Sequence, residues 1–144
     1  MDAATAALLQ EMVRKEGRSL LQYVSESVPW TTPKNHDALP VLLDLVREEQ
    51  EGAAAIVKLL LKNRVRPPYL GAYPMSFTTI NYMSLDFLLP YLIDFEKRRS
   101  AELEQDLAVV SDDEAKHLLR TLLEMKQRHL LTLRNLGGVE KPAA

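Results

Sequence analysis

The stretch VLLDLVREEQEGAAAIVKLL, residues 41–60, predicts a helix with a carboxylate in the middle of its apolar face. Apolar side chains recur every three or four residues, the spacing that lines one face of an α-helix. That face carries Leu42, Leu45, Val46, Glu49, Ala53 and Ile56. Burying a carboxylate is costly, so Glu49 should be paired with a cation, protonated or bound to a metal ion. The stretch therefore predicts a helical core with a polar site inside it.

Three other stretches repeat this pattern, and each has one ionisable residue in its apolar stripe. Together with the first stretch they give Glu16, Glu49, Glu96 and His129. Each lies near the middle of a predicted helix, and mid-helix positions meet when helices pack antiparallel. One such residue would mean little, but four at similar depth indicate a shared site.

Composition narrows the class of protein. The chain has 144 residues, enough for one domain with a substantial core. It has no cysteine, which excludes disulfides, thiolate zinc sites and cysteine nucleophiles and fits a cytoplasmic setting. A net charge of −2 argues against a nucleic-acid binder, and no apolar run reaches membrane-spanning length. Leucine and alanine are plentiful and no stretch alternates with a period of two, so we expect an all-α protein.

Proline, glycine and capping signals divide the chain into four helices. We expect these at Ala4–Val28, Asp37–Asn63 and Ser84–Val110, and then from a Ser-x-x-Glu capping box at 111–114 to Gly137 and Gly138. Pro90 predicts a kink in the third helix or a later start. We expect a single domain over residues 1–138 and a flexible tail over 139–144.

Connection lengths predict the topology. Short connections make helices one and two, and helices three and four, antiparallel hairpins. The connection of residues 64–83, extended, exceeds the ~40 Å length of such helices and can cross from end to end. The predicted fold is a four-helix bundle of two antiparallel hairpins joined by a long crossover between helices two and three. The aromatic residues of the crossover would anchor it on the bundle, or else form a dimer or partner surface.

This arrangement resembles the ferritin-like superfamily, especially its rubrerythrin and bacterioferritin-type branch, over residues 4–136. Glu16 matches the ligand of the first helix, and Tyr23 resembles the tyrosine often found beside that metal site. REEQEGA at 47–53, FEKR at 95–98 and residues 123–130 resemble the other ligand segments. The resemblance implies Glu16, Glu49, Glu96 and His129 as ligands of iron or manganese.

Two departures from the family pattern fall on metal positions. Gly52 stands where the family has histidine, and Lys126 where it has glutamate. The Lys126 ammonium would repel a cation and could pair with Glu96 or Glu16. Three possibilities remain: a full di-metal centre, a single weakly held metal, and a metal-free polar core around Lys126. For single residues, a solvated acidic run at Glu49 and a hydrogen-bonded core-margin histidine at His129 also stay open.

Two functions follow from these possibilities. The first is a ferritin-like bundle with a degenerate di-metal site, not a full di-iron oxidase, acting as a structural or interaction protein. The alternative is an iron- or manganese-binding protein with a reduced Glu/His site and oxidoreductase or metal-handling activity. A homodimer or higher oligomer, or another protein, would be the partner. Neither a nucleophile elbow nor a glycine-rich phosphate loop occurs in the sequence.

Overall fold

The computed structural model describes residues 1–27, 29–33 and 35–137, and these residues form helices and connections without a β-strand. The described residues contain five α-helices, α1 (Ala3–Gly17), α2 (Leu20–Ser27), α3 (Ala38–Lys62), α4 (Leu85–Val109) and α5 (Asp113–Gly137). A short 3₁₀ helix, Met75–Ile80, lies in the connection between α3 and α4. The all-α prediction is confirmed. The predicted tail, residues 139–144, lies outside the described residues, as does Val28.

The predicted first helix is in fact two helices, because α1 ends at Gly17 and α2 begins only at Leu20. A Cβ on Gly17 would lie 2.9 Å from Leu70 Cδ1, so glycine allows the connection to approach the end of α1. Arg18 Nη1 donates to the Gly17 carbonyl at 2.8 Å. Ser19 Oγ accepts from the Gln22 N–H at 3.2 Å and caps the start of α2. The prediction of one continuous helix over 4–28 was therefore wrong.

The starts of α4 and α5 also differ in detail from the sequence prediction. α4 begins at Leu85 and continues through Pro90, so the predicted later start does not occur. The Leu85 N–H donates to the Trp30 carbonyl at 3.1 Å, a tertiary contact that fixes this start. α5 is capped by Asp112, whose Oδ2 accepts from the Ala115 N–H at 2.9 Å. Ser111, the predicted cap, instead donates to Asp2 Oδ2 at 3.1 Å.

Two separate clusters of buried apolar side chains form the core. One includes Leu21, Val24, Leu42, Leu45, Leu85, Leu88, Leu92 and Leu133. The other includes Leu9, Met12, Ile56, Leu60, Leu103, Leu119 and Met125. Helices α3, α4 and α5 each contribute residues to both clusters, one half of the helix to each. In the first arm, α1 contributes to one cluster and α2 to the other. The four predicted ionisable residues lie at these transitions, so a polar layer separates the two apolar clusters.

Contacts at the helix ends show which ends lie together. Asn35 Nδ2 donates to Asp86 Oδ1 at 2.7 Å, joining the segment before α3 to the start of α4. At the other end of α3, Lys62 Nζ donates to Glu114 Oε1 at 2.7 Å, at the start of α5. The contact of Ser111 with Asp2 places the start of α1 there too.

The connection between α3 and α4 lies partly on the helices. The ring of Tyr73 lies 5.3 Å from that of Tyr23, and Phe77 lies 5.9 Å from Phe95, centroid to centroid. Tyr69 and Tyr82 are 90% and 96% exposed. Of the two predicted roles, anchoring therefore describes Tyr73 and Phe77, whereas Tyr69 and Tyr82 face outward. Among the described residues, no helix is long and apolar enough to cross a membrane.

Candidate functional site

The structure brings the four predicted residues together inside the molecule. Glu16, Glu49, Glu96 and His129 are all fully buried, and so is Lys126. One side-chain ligand atom from each of Glu49, Glu96 and His129 lies within 4.8 Å of the others. Since these residues come from α1, α3, α4 and α5, the site exists only when these helices pack.

Lys126 links the carboxylates of this layer. Its Nζ lies 2.8 Å from Glu16 Oε2 and 2.8 Å from Glu49 Oε2. Glu96 Oε2 is farther from the ammonium, at 3.6 Å. The expected pairing of Lys126 with Glu16 is therefore present. The second close partner is Glu49, which was not expected, whereas the expected partner Glu96 lies farther from the ammonium. An ammonium in this position supplies the positive charge that the carboxylates need when they are buried.

Arg99 is a second cation of the cluster, and sequence reasoning missed it. Its side chain is buried, and Nη2 donates to Glu16 Oε1 at 2.8 Å. Nη1 donates at 2.8 Å to Glu102, which reaches solvent. The sequence did contain a signal, because Arg99 follows Glu96 by three residues and so lies on the same helical face.

Glu49 is held by neutral donors as well as by Lys126. Ser19 Oγ donates to Oε1 at 2.5 Å, and Gln22 Nε2 donates to the same oxygen at 3.0 Å. Burial alone would raise the pKa of Glu49, but the Lys126 charge and the hydrogen bonds outweigh burial and lower the pKa below its ordinary value. Glu49 is therefore an ionised carboxylate. A solvated position for Glu49 is excluded, although its neighbour Glu51 is exposed.

Glu96 differs from the other carboxylates in having no hydrogen-bond donor. Neither of its oxygens has a hydrogen-bond partner among the described residues. Burial raises its pKa to about 8, and repulsion by Glu49 and Glu16 adds to burial, whereas attraction by Lys126 only partly opposes it. Glu96 is therefore mainly protonated at neutral pH.

The charges of the cluster balance when Glu96 carries a proton. Lys126 and Arg99 contribute two positive charges, and Glu16 and Glu49 contribute two negative charges. A third carboxylate anion would have no cation of its own. The cluster is thus electrically neutral without any added ion.

His129, on α5, is the remaining member of the buried layer, and it contacts α3 through Glu48. Its Nε2 lies 2.7 Å from Glu48 Oε1, and Nδ1 is buried without a partner among the described residues. Burial lowers the pKa of His129, and the nearby Lys126 charge lowers it further, although Glu48 opposes both. In the neutral ring Nε2–H donates to Glu48, which leaves a lone pair on Nδ1. The hydrogen-bond partner of His129 is therefore the carboxylate of Glu48.

The contacts described for Tyr23, which the resemblance implied as a neighbour of the metal site, are with the connection between α3 and α4. Its hydroxyl donates to Asn81 Oδ1 at 2.5 Å, and its ring packs against Tyr73 and Phe77. These contacts place Tyr23 with the connection between α3 and α4.

The donor set does not fit two metal ions. A Cβ on Gly52 would lie 2.7 Å from Leu122 Cδ2, so apolar packing fills the position of the expected histidine. The Lys126 ammonium is in contact with two of the carboxylates that would bridge the metals. Glu49, Glu96 and His129 are close enough to hold one ion, and their oxygen and nitrogen donors suit iron or manganese.

Comparisons with protein-family models, with curated proteins and with solved structures find no match to this chain. The resemblance to the ferritin-like superfamily therefore rests on the residues of this chain and on their geometry. It enters below as a proposal.

Proposed function

We propose that this chain is a ferritin-like four-helix bundle in which a buried carboxylate–ammonium cluster stands in place of a di-metal centre. We propose further that it acts as a structural or interaction protein and not as a di-iron oxidase. The observation that carries this proposal is the position of the Lys126 Nζ, 2.8 Å from both Glu16 and Glu49.

The contacts at the helix ends support the proposed topology. α1 and α2 would together form the first arm of the bundle, antiparallel to α3, and α4 would be antiparallel to α5. α3 and α4 would then be parallel, since their starts are joined through Asn35 and Asp86. Residues 63–84 would cross the bundle from end to end, as in the ferritin-like arrangement.

The charge balance of the cluster explains why the bundle does not need metal ions to bury its acids. In a di-metal centre, two divalent cations neutralise bridging carboxylates. In this chain Lys126, Arg99 and the proton on Glu96 do so. Replacing glutamate with lysine at position 126 changes the local charge by two units, so the substitution removes a ligand and also supplies a counter-ion.

An exposed aromatic patch at one end of the molecule supports an interaction role. Trp30, Tyr82 and Phe87 are 62%, 96% and 70% exposed. The indole Nε1 of Trp30 donates to the Tyr82 carbonyl at 3.3 Å, which joins two connections of the chain at this patch. Aromatic residues are enriched in the buried centres of protein interfaces. We propose that this patch contacts a second copy of the chain.

Metal analysis tests the main proposal. Protein purified without a histidine tag should contain substoichiometric metal, and its melting temperature should not rise when Fe(II) or Mn(II) is added. A ligand that binds only the folded state raises the melting temperature, so stoichiometric metal together with such a rise would contradict the proposal. The patch is tested separately by measuring the mass of the protein in solution, which should fall from dimer to monomer in Trp30→Ser but not in Tyr69→Ser.

One observation favours a second candidate, a protein with a reduced Glu/His site for one iron or manganese ion. Both oxygens of Glu96 and Nδ1 of His129 lack partners among the described residues, and one ligand atom from each of Glu49, Glu96 and His129 lies within 4.8 Å of the others. These three residues would hold the ion, whose Lewis acidity or redox activity would supply the chemistry. Saturable Mn(II) binding, seen as a change in the electron paramagnetic resonance spectrum and lost in His129→Gln, would favour this candidate.

A further inference from the structure

A groove of about 340 Å³ lies beside the break between α1 and α2. It lies between the end of α1, the connection that follows α3, and the middle of α4. Its basic residues are Arg14, Lys15, Arg18 and Arg99. Neither the resemblance nor the proposed function gives this groove a role.

The lining of the groove has an excess of positive charge. Arg14 pairs with Glu11, Lys15 with Glu102 and Arg99 with Glu16, which leaves the positive charge of Arg18 uncompensated. Lys15 and Arg99 share Glu102, at 2.7 and 2.8 Å. An anion entering the groove would therefore find one cation, Arg18, that no carboxylate of the described residues neutralises.

Arg18 is a positioned cation in this lining without a carboxylate partner. Nε donates to the Gly71 carbonyl and Nη1 to the Gly17 carbonyl, both at 2.8 Å. The guanidinium carbon lies 5.2 Å from the centre of the Tyr73 ring. Within the described part of the chain, Arg18 forms no ion pair. Two backbone contacts and one ring thus hold the guanidinium in place while its charge stays available.

Arg99 lies at the inner wall of the groove, and its guanidinium is already paired. Only 4% of this residue is exposed, and it lines the groove. Its Nε is buried and has no hydrogen-bond partner among the described residues. Because Nε is covered by protein atoms and Nη1 and Nη2 already donate to Glu102 and Glu16, the hydrogen bonds to an anion in the groove would come from Arg18.

The remaining lining is apolar and partly aromatic. Leu70, Ala72 and Pro74 come from the connection, and Phe77 and Phe95 pack edge to face with centroids 5.9 Å apart. A groove with an apolar wall and a few placed polar groups is the usual form of a small-molecule site, and this volume is within the usual range.

We propose that this groove binds a small organic carboxylate with a compact apolar or aromatic body. The carboxylate would accept hydrogen bonds from Arg18, since the planar guanidinium matches the geometry of a carboxylate. The body would lie against Leu70, Phe77 and Phe95. A free inorganic anion would lack the apolar contacts, and a neutral compound of the same shape would lack the charge-assisted hydrogen bonds.

The test uses three probes with the unmodified full chain: 2-naphthoate, its neutral counterpart 2-naphthylmethanol, and acetate. Titration calorimetry should show saturable binding of 2-naphthoate. The other two probes should bind at least about tenfold more weakly, because 2-naphthylmethanol loses a charge-assisted hydrogen bond and acetate loses the apolar contact. Amide chemical shifts should change at residues 14–18, 70–77 and 95–102. Equal affinity for the alcohol and the carboxylate, or shift changes confined to other residues, would overturn the proposal.

Two arginine variants provide a matched comparison. Arg18→Gln should weaken 2-naphthoate binding about tenfold, because it removes the unpaired cation of the groove. Arg47→Gln, which changes an exposed arginine paired with Asp44 on α3 and outside the groove, should leave the affinity unchanged. Circular dichroism would verify that both variants fold. Folded Arg18→Gln with the affinity of the parent would contradict the role of Arg18, and the probe series on the parent tests the groove independently of either variant.

Discussion

Replacing Lys126 with methionine removes the cation of the buried cluster and keeps most of its side-chain volume. Lys126 is fully buried and contacts Glu16 and Glu49 at 2.8 Å, so the variant leaves two buried carboxylates with one cation, Arg99, between them. Breaking a buried ion pair by removing one partner costs about 3–5 kcal/mol. We expect a loss of this size in the free energy of unfolding, against a total of about 5–15 kcal/mol for a domain.

The assay is urea unfolding followed by circular dichroism, with Lys97→Met as the control. Lys97 is exposed on α4, so the same substitution there should change the free energy of unfolding by less than about 0.5 kcal/mol. Combining Lys126→Met with Glu49→Gln should recover part of the loss, because the second change removes a charge that the first leaves unpaired. We expect an interaction energy of about 1–3 kcal/mol in the double-mutant cycle.

The pH dependence of the variant provides a further test. Without Lys126, burial of Glu49 raises its pKa in the folded state above that in the unfolded state. The folded variant then binds more protons than the unfolded chain, so its stability falls as pH rises. The destabilisation should therefore be smaller near about pH 5 than near about pH 7.5. A Lys126→Met protein as stable as the parent at both pH values, with no interaction with Glu49→Gln, would refute the account of the cluster.

Three further predictions concern neighbouring residues. Between pH 6.5, the ordinary pKa of His129, and the Glu96 pKa of about 8, Glu96 holds a proton in the folded protein that it has released in the unfolded chain. The free energy of unfolding should therefore fall as pH rises through this range, and Glu96→Gln should flatten that dependence in urea unfolding. Arg99→Met should lower the free energy of unfolding by about 3 kcal/mol or more, since it leaves Glu16 without its guanidinium partner. The control Arg98→Met changes an exposed arginine and should cost about 0.5 kcal/mol or less, so equal losses of the two variants in chemical denaturation would count against the buried pair. The triple variant Gly52→His, Lys126→Glu and Leu122→Ala should bind Fe(II) or Mn(II), which the parent does not, because Leu122→Ala makes room for the new imidazole. If the triple variant folds but binds no metal in calorimetry, the ligand positions are misassigned.

Much of the helical architecture and the membership of the buried layer could be predicted from the sequence. The spacing of apolar residues is a local property of a helix, and it placed Glu16, Glu49, Glu96 and His129 on buried faces. Lys126 was recognised as a cation pointing into the same space. Its partners could be narrowed to the buried carboxylates, but the choice of Glu49 over Glu96 depends on differences of about 1 Å that no sequence pattern records.

Other parts of the site depend on contacts between residues distant in sequence. Arg99 meets Glu16 across 83 residues, and its neighbour Arg98 is exposed, so composition alone does not separate the two arginines. The break after α1 was missed because apolar spacing continues from Glu16 through Leu20. The glycine and serine in Gly17–Arg18–Ser19 are residues that commonly end and begin helices, and they were the available signal.

The most direct test of the central claim is a crystal structure from crystals soaked in Mn(II), with diffraction data collected for anomalous scattering. We expect the Lys126 Nζ within hydrogen-bond distance of Glu16 and Glu49, and no anomalous peak among the buried carboxylates. A manganese peak between Glu49, Glu96 and His129, with the Lys126 side chain displaced from the carboxylates, would contradict it.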